Sequence, residues 1–206
     1  MSEPLPAWNS LLPEPGTVMS TNEYLRTPET TRVQELWEGV VRVAESPTAW
    51  HQDLAFEIAV AIRAHVRAHD LGKVWVAPLD VILDGDRALI LQPDVLYVSE
   101  DRLDIVTDKV RGAPDLVVEV LSPLPRIGSI AERVTCFAAY GVRECWLVNQ
   151  IDRTVEVLQF QGGRVADRTK VSASSAIPSR VLPGQPERQA DAIGWNAGLE
   201  PRRASS

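Results

Sequence analysis

The sequence predicts an α/β (α+β) domain, a mixed β-sheet flanked by helices, over roughly residues 20–160. Three observations carry that expectation. Asp115 to Leu121 (DLVVEVL) is a short, nearly continuous apolar run, the pattern of a strand covered on both faces. Residues 50–70 repeat Leu54, Ala55, Ile58, Ala59, Ala61, Ile62 and Val66 at spacings of three and four, the stripe of an amphipathic helix. Residues 33–43 alternate around Glu38-Gly39, the signature of a β-hairpin.

The remaining elements follow in order. Residues 1–17 are proline-rich and aperiodic and read as a loose arm. Thr21 reads as the N-cap of a short helix that carries Tyr24 and Leu25 and ends before Pro28. After the hairpin, the 50–70 helix is expected to close at Gly72. Strands are expected at Val74 to Ala77, at Asp80 to Leu83, and at Ala88 to Leu96 with its continuation Tyr97-Val98. Asp84-Gly85 turns the second of these into the third. A second helix spans Ser129 to Tyr140 and stops at Gly141. Cys145 to Val148 and Thr154 to Phe160 are the last two strands, and Gly162-Gly163 reads as a turn after them. Beyond about residue 165 the pattern fades into Ser, Pro, Gly and Arg. The expected division is therefore a flexible arm over 1–18, one domain over 19–165 and a partly disordered extension over 166–206.

Bulk properties bound the function. With 206 residues, 45% of them hydrophobic and 24% charged, the chain can bury one sizeable core, whereas two full domains would each be near the lower size limit. No apolar run approaches the roughly 18 residues needed to cross a membrane. Met1 to Pro15 holds four prolines and no Lys or Arg, unlike a signal peptide, so a cytoplasmic location is the expectation. In that reducing compartment Cys136 and Cys145 read as small buried hydrophobes. A net charge of −7 argues against tight, non-specific duplex binding, which needs a basic face. Any nucleic-acid role must rest on a local patch or a bridging metal ion.

Two acids stand out against this background. Glu119 sits at the centre of an apolar strand, where a bare carboxylate is costly unless paired, neutralised or metal-bound. Asp94 follows Pro93 within a strand pattern, and a proline there marks an edge or a bulge that re-aims side chains. Two carboxylates on neighbouring strands repel unless a cation lies between them, and a hard oxygen pair suits Mg²⁺ or Mn²⁺. The alternative is that Glu119 pairs with a buried Arg or caps a loop while Asp94 is a turn residue. Other groups have plainer readings. His51 falls in the first turn of the 50–70 helix, and His65 and His69 fall on a solvated face of it. Trp37, Trp50, Trp75 and Trp146 read as core or interface aromatics. Lys73, Arg102, Lys109, Arg111 and Arg126 read as scattered surface charges. No Ser-His-Asp grouping and no Gly-rich phosphate loop is present in the sequence pattern.

Several segments together resemble one bacterial family. They are Met19 to Pro28, Glu35-Leu36-Trp37-Glu38-Gly39, Ser46-Pro47 with His51, Gln92-Pro93-Asp94 to Val98, Gly112 to Pro123, and Tyr140 to Val148. In that order, and over about residues 19–160, they are similar to the putative restriction endonucleases within the PD-(D/E)xK nuclease-like superfamily. The resemblance implies a restriction-endonuclease-like fold, a central mixed sheet with flanking helices and an N-terminal helix and hairpin. Acids on adjacent strands would hold Mg²⁺ (or Mn²⁺). By position Asp94 and Glu119 become metal-binding and catalytic acids, the main-chain carbonyl of Val120 completes the metal shell, and Glu35 is an additional acid. The superfamily's common Lys, two residues after the second acid, is Leu121 here. The family's Asp-x-x-x-Lys pattern on the next helix reads Ser129 and Arg133, so Arg133 would supply the positive charge. An Arg stabilises charge but is essentially never a neutral base. His51 and Ser122 are accessory candidates. The implied activity is Mg²⁺-dependent endonucleolytic hydrolysis of phosphodiester bonds, with nucleic acid as substrate, a homodimer as the assembly and no membrane. The alternative is a catalytically impaired nuclease-fold protein that acts as a binding or scaffold homodimer.

Overall fold

The computed structural model describes residues 12–121, 128–172, 175–182 and 184. Its elements are α1 (Thr21–Tyr24), β1 (Gln34–Trp37), β2 (Val40–Val43), α2 (Ala49–Ala68), β3 (Gly72–Val76), β4 (Val81–Asp84), β5 (Leu89–Leu91), β6 (Val95–Ser99), a 3₁₀ turn (Glu100–Ile105), β7 (Val110–Arg111), β8 (Leu116–Leu121), α3 (Ile130–Ala139), β9 (Glu144–Asn149), β10 (Thr154–Gln161) and β11 (Arg164–Ser172). The expected central mixed sheet is six-stranded, in the order β11-β10-β9-β8-β6-β3. Its one parallel pair is β8 with β9, and the other neighbours run antiparallel. The strand alternation of β8 decides what covers each face. Leu116, Val118 and Val120 pack with Leu54, Ile58 and Ile62 of α2, and Val117 packs with Val134 and Phe137 of α3.

A second, five-stranded sheet, β2-β1-β5-β4-β7, lies on the α3 side. Leu89 and Leu91 join the α3 core, and Val81 and Val110 pack on Leu96 and Val98 of the larger sheet. The opposite face of this small sheet is closed by Tyr24 of α1 against Leu36, Val41 and Ile90. The sequence pattern reads Ala88 to Val98 as one strand. The structure instead divides it at Gln92-Pro93-Asp94, with β5 in the small sheet and β6 in the large one. Pro93 has no N–H to continue a ladder, so the chain changes sheets there.

Several local expectations are corrected. Ser20, not Thr21, caps α1: its hydroxyl accepts from the Glu23 N–H, and the Glu23 carboxylate accepts from the Ser20 N–H, a capping box. The end of α2 is turned by Asp70, at φ 50°, rather than by Gly72. Gly72 opens β3 at φ +136°, where an added Cβ would stand 2.2 Å from the Val98 carbonyl oxygen. His65 is buried, not solvated, with its ring 4.4 Å from that of His69.

The described residues on either side of the expected domain are tied more closely than the pattern suggests. Gly16 and Met19 donate to the carbonyls of Val41 and Gly39, adding to the hairpin. The ladder continues past residue 165 as β11, and Ile177 and Leu182 are buried against Val155 and Val157. Glu144 holds this returning segment, accepting from the Arg180 N–H at 2.8 Å and from Trp146 Nε1 at 2.7 Å. Among the described residues no helix is long and apolar enough to cross a membrane.

Candidate metal centre

The change of sheets at residues 92–94 builds the site. It leaves Asp94 just before β6, and the antiparallel ladder of β6 with β8 begins only at Val95↔Val118. The next N–H along β8, that of Val120, therefore finds a side chain rather than a main-chain acceptor: it donates to Asp94 Oδ2 at 2.8 Å. The other oxygen, Oδ1, meets His51 Nε2 at 3.0 Å. His51 reaches it from the first turn of α2, which Thr48 caps by accepting from the His51 N–H. His51 thus faces the acids rather than solvent.

Glu119 faces the α3 side of the large sheet, and Glu35 faces it from β1. Arg133 projects between them from α3, whose N-terminus is fixed by a Ser129–Glu132 capping box. Its Nη1 donates to both oxygens of Glu35, at 2.8 and 2.7 Å, and its Nη2 donates to Glu119 Oε1 at 2.6 Å. Glu35 also accepts from the Gln92 N–H at 2.7 Å. These three side chains are buried, with Glu35 at 0% exposure. Of the two readings left open for Glu119, pairing with a buried Arg is what the structure contains. Asp94 is not a free turn residue but a partner of β8 and α2.

The electrostatics follow from burial and proximity. Burial drives the Glu119 carboxyl up to about 7, against the Arg133 guanidinium, with Asp94 and Glu35 adding to the rise. Burial disfavours the charged His51 ring, yet its bond to Asp94 and the nearby Glu119 leave its pKa above the ordinary value. The pKa of Arg133 is held above its ordinary value by both glutamates in spite of burial. With His51 neutral and all three carboxyls ionised, three negative charges would face the one guanidinium of Arg133, and a proton on Glu119 below its raised pKa removes one of them.

This donor set fits a divalent cation of the hard class. Mg²⁺ is commonly held by one or two carboxylates, with water and substrate phosphates filling the shell. Among the described residues no group of three or more His, Cys, Asp or Glu side chains is arranged to hold a metal ion, so the protein side chains would supply at most a pair of ligands. Among the described residues Asp94 makes no bond to Arg133 and Glu119 engages it through Oε1 alone, whereas Glu35 meets it with both oxygens. Glu35 is different. Its three hydrogen bonds make it the counter-ion of Arg133 and the anchor of the Gln92 turn.

Five of the candidate residues, Asp94, Glu119, Glu35, Arg133 and His51, are therefore brought together, and Val120 contributes its N–H to Asp94. Ser122 and Arg126 lie outside the described residues. Sequence reasoning missed the role of Gln92, whose Nε2 donates to Asp80 at 2.7 Å while Lys109 Nζ sits 2.8 Å from the same carboxylate. Lys109 and Arg102 are thus not stray surface charges, since Arg102 binds buried Asp115 at 2.7 Å. The one available signal was that Gln92 stands beside Pro93-Asp94. Cys136 and Cys145 are free and buried, as expected of structural thiols, with burial pushing Cys136 up to about 11.

The fold is similar to that of a crystal structure of a putative nuclease belonging to DUF820 from Anabaena variabilis. The TM-score is 0.71 at 18% sequence identity, covering 86% of this chain and 98% of that one. No curated protein matches. The family model that matches is Uma2, described as putative restriction endonuclease, and it spans residues 21–190. A match over most of the length, on the hairpin, turn and strand that build the acid cluster, places the chain in the Uma2 family of putative restriction endonucleases.

Proposed function

We propose that the protein is a Mg²⁺-dependent endonuclease that hydrolyses phosphodiester bonds in nucleic acid, with Asp94 and Glu119 as the cation-binding pair. One observation carries this reading: the Glu119 carboxyl is buried near Asp94 and Glu35, and among the described residues Arg133 alone bonds it, so that burial pushes its pKa up to about 7. The main-chain carbonyl of Val120 is the third oxygen that the family pattern supplies. When bound, a divalent ion offers Lewis-acid activation of a phosphate and makes water more acidic.

The protein's own groups do the rest. The Val120 N–H and His51 fix the orientation of Asp94. Arg133 is a permanent cation that holds Glu119 and Glu35 in place and cannot serve as a base. Glu119 must give up its proton before it can act as an anionic ligand, which links binding to pH. Phe56 and Val60, exposed on the outer side of α2, with Val76 at the edge strand β3, support assembly as a homodimer.

A second reading, a nuclease fold retained for binding, is favoured by the absence of a lysine at Leu121 and Arg133 and by the double tether of Arg133. Incubation of the full chain with single-stranded, duplex and branched DNA and with RNA, in Mn²⁺ or Mg²⁺, separates the two. The nuclease reading expects cleavage that Asp94→Ala and Glu119→Gln abolish. Cleavage undiminished by Glu119→Gln rejects the mechanism, and binding without cleavage selects the second reading.

A further inference from the structure

Arg42 lies in β2 directly opposite Glu35 of β1, so the two share a face of the small sheet. Its guanidinium is stacked over the Trp37 ring, 4.4 Å from the centroid, which fixes the plane of the donor fork. A cross-strand Arg–Glu pair would ordinarily form an ion pair. Here it does not, because the Glu35 carboxylate is already filled by Arg133 and the Gln92 N–H. The other nearby acid is Glu132, whose Oε2 is 3.9 Å away, beyond hydrogen-bond reach, and which already accepts from the Ser129 N–H at 3.1 Å. Arg42 Nη1 is therefore buried and has no acceptor among the described residues. Gly128, at φ +67°, keeps the space beside it open: an added Cβ would stand 2.5 Å from Nη1.

A buried guanidinium N–H without a hydrogen-bond acceptor is costly, even with a carboxylate 3.9 Å away, unless something supplies the acceptor. The Arg42 side chain is 30% exposed, so a second anion can join the distant Glu132 at the rim of the acid cluster, where Arg42, Glu35, Arg133 and Glu119 form one continuous row of contacts or neighbours. A stacked guanidinium matches a phosphate in both geometry and charge. We infer that Arg42 is a substrate-positioning residue that binds a phosphodiester oxygen of the nucleic acid at the edge of the metal centre. The inference rests on the nuclease reading and adds to it a substrate contact. It also gives this acidic chain the local cation that backbone binding requires.

The test is binding of a fluorescein-labelled single-stranded oligonucleotide by fluorescence anisotropy, over a range of salt, in Ca²⁺, with the full chain. Arg42→Gln is expected to weaken binding roughly tenfold to a hundredfold and to reduce the salt slope by about 0.7. Arg42→Lys should keep the slope but bind several-fold more weakly, because the ammonium lacks the stacked fork. In Mn²⁺-supported cleavage the loss should fall on KM, with Mn²⁺ affinity unchanged. Wild-type affinity and slope in a folded Arg42→Gln overturn the inference alone. If that variant does not fold, Arg42→Lys decides, and wild-type affinity there overturns it. A wild-type chain that binds no oligonucleotide overturns both the inference and the nuclease reading.

Discussion

Arg133→Met removes the guanidinium that bonds Glu35 and Glu119 while keeping most of the side chain's volume. Arg133 makes three charge-assisted bonds of 2.6–2.8 Å, and its side chain is 7% exposed. After the substitution Glu35 retains the Gln92 N–H, but Glu119 keeps no other hydrogen bond among the described residues. Breaking a buried ion pair from one side costs about 3–5 kcal/mol, roughly a fifth or more of a typical domain's stability. The expected loss is therefore about 4 kcal/mol at pH 8, read by urea denaturation at 25 °C. It should shrink as pH falls toward 5, because the remaining carboxyls then fold in protonated form. Adding Glu35→Gln and Glu119→Gln to Arg133→Met should restore much of the loss, since no buried charge is left unpaired. A loss under about 1 kcal/mol at pH 8, or one unchanged at pH 5, would refute the picture of buried carboxylates held by Arg133.

Other outcomes follow from the same geometry. The Glu119 carboxyl is raised in the folded state from 4.5 to about 7, so its contribution favours folding below 4.5 and is lost as pH rises through 7. By linkage this amounts to roughly 3 kcal/mol, and Glu119→Gln should flatten the fall in urea midpoint across that window. His51, also raised, acts in the same direction, so a smaller slope should survive in Glu119→Gln above the ordinary His range. Leu182, 1% exposed among Val155 and Val157, should cost about 2–4 kcal/mol when changed to Ala. A thermal melt of that variant matching wild type would mean that residues 175–182 are not part of the core.

The sequence is legible where a local rule suffices. Glu38-Gly39 and Gly162-Gly163 adopt the positive φ angles that tight hairpins need, and both read correctly as turns. The apolar stripes of α2 and α3 and the buried run of β8 are equally plain. Three features are not local. The single run from Ala88 to Val98 hides a change of sheet, because both halves are apolar and only Pro93 marks the joint. β11 is missed because Arg164 to Ser172 is an edge strand largely exposed on both sides, which leaves no clear alternation to find. At the site, Asp94 and Glu119 could be singled out by burial cost, but their partners come from remote segments. Arg133 meets Glu35 across 98 residues and Gln92 meets it across 57. No spacing rule joins such positions, so the Arg133 tether, the Gln92–Asp80–Lys109 network and the stacking of Arg42 on Trp37 emerge only from packing.

The central claim, that Asp94 and Glu119 hold a divalent cation, is tested most directly by calorimetric titration of Mn²⁺ into the full chain at pH 8. One ion should bind per chain, with affinity weakening about tenfold per pH unit below the Glu119 pKa, and Asp94→Ala should abolish the heat without unfolding the protein. An absent heat with no thermal shift in the wild type, or an undiminished heat in Asp94→Ala, would contradict it.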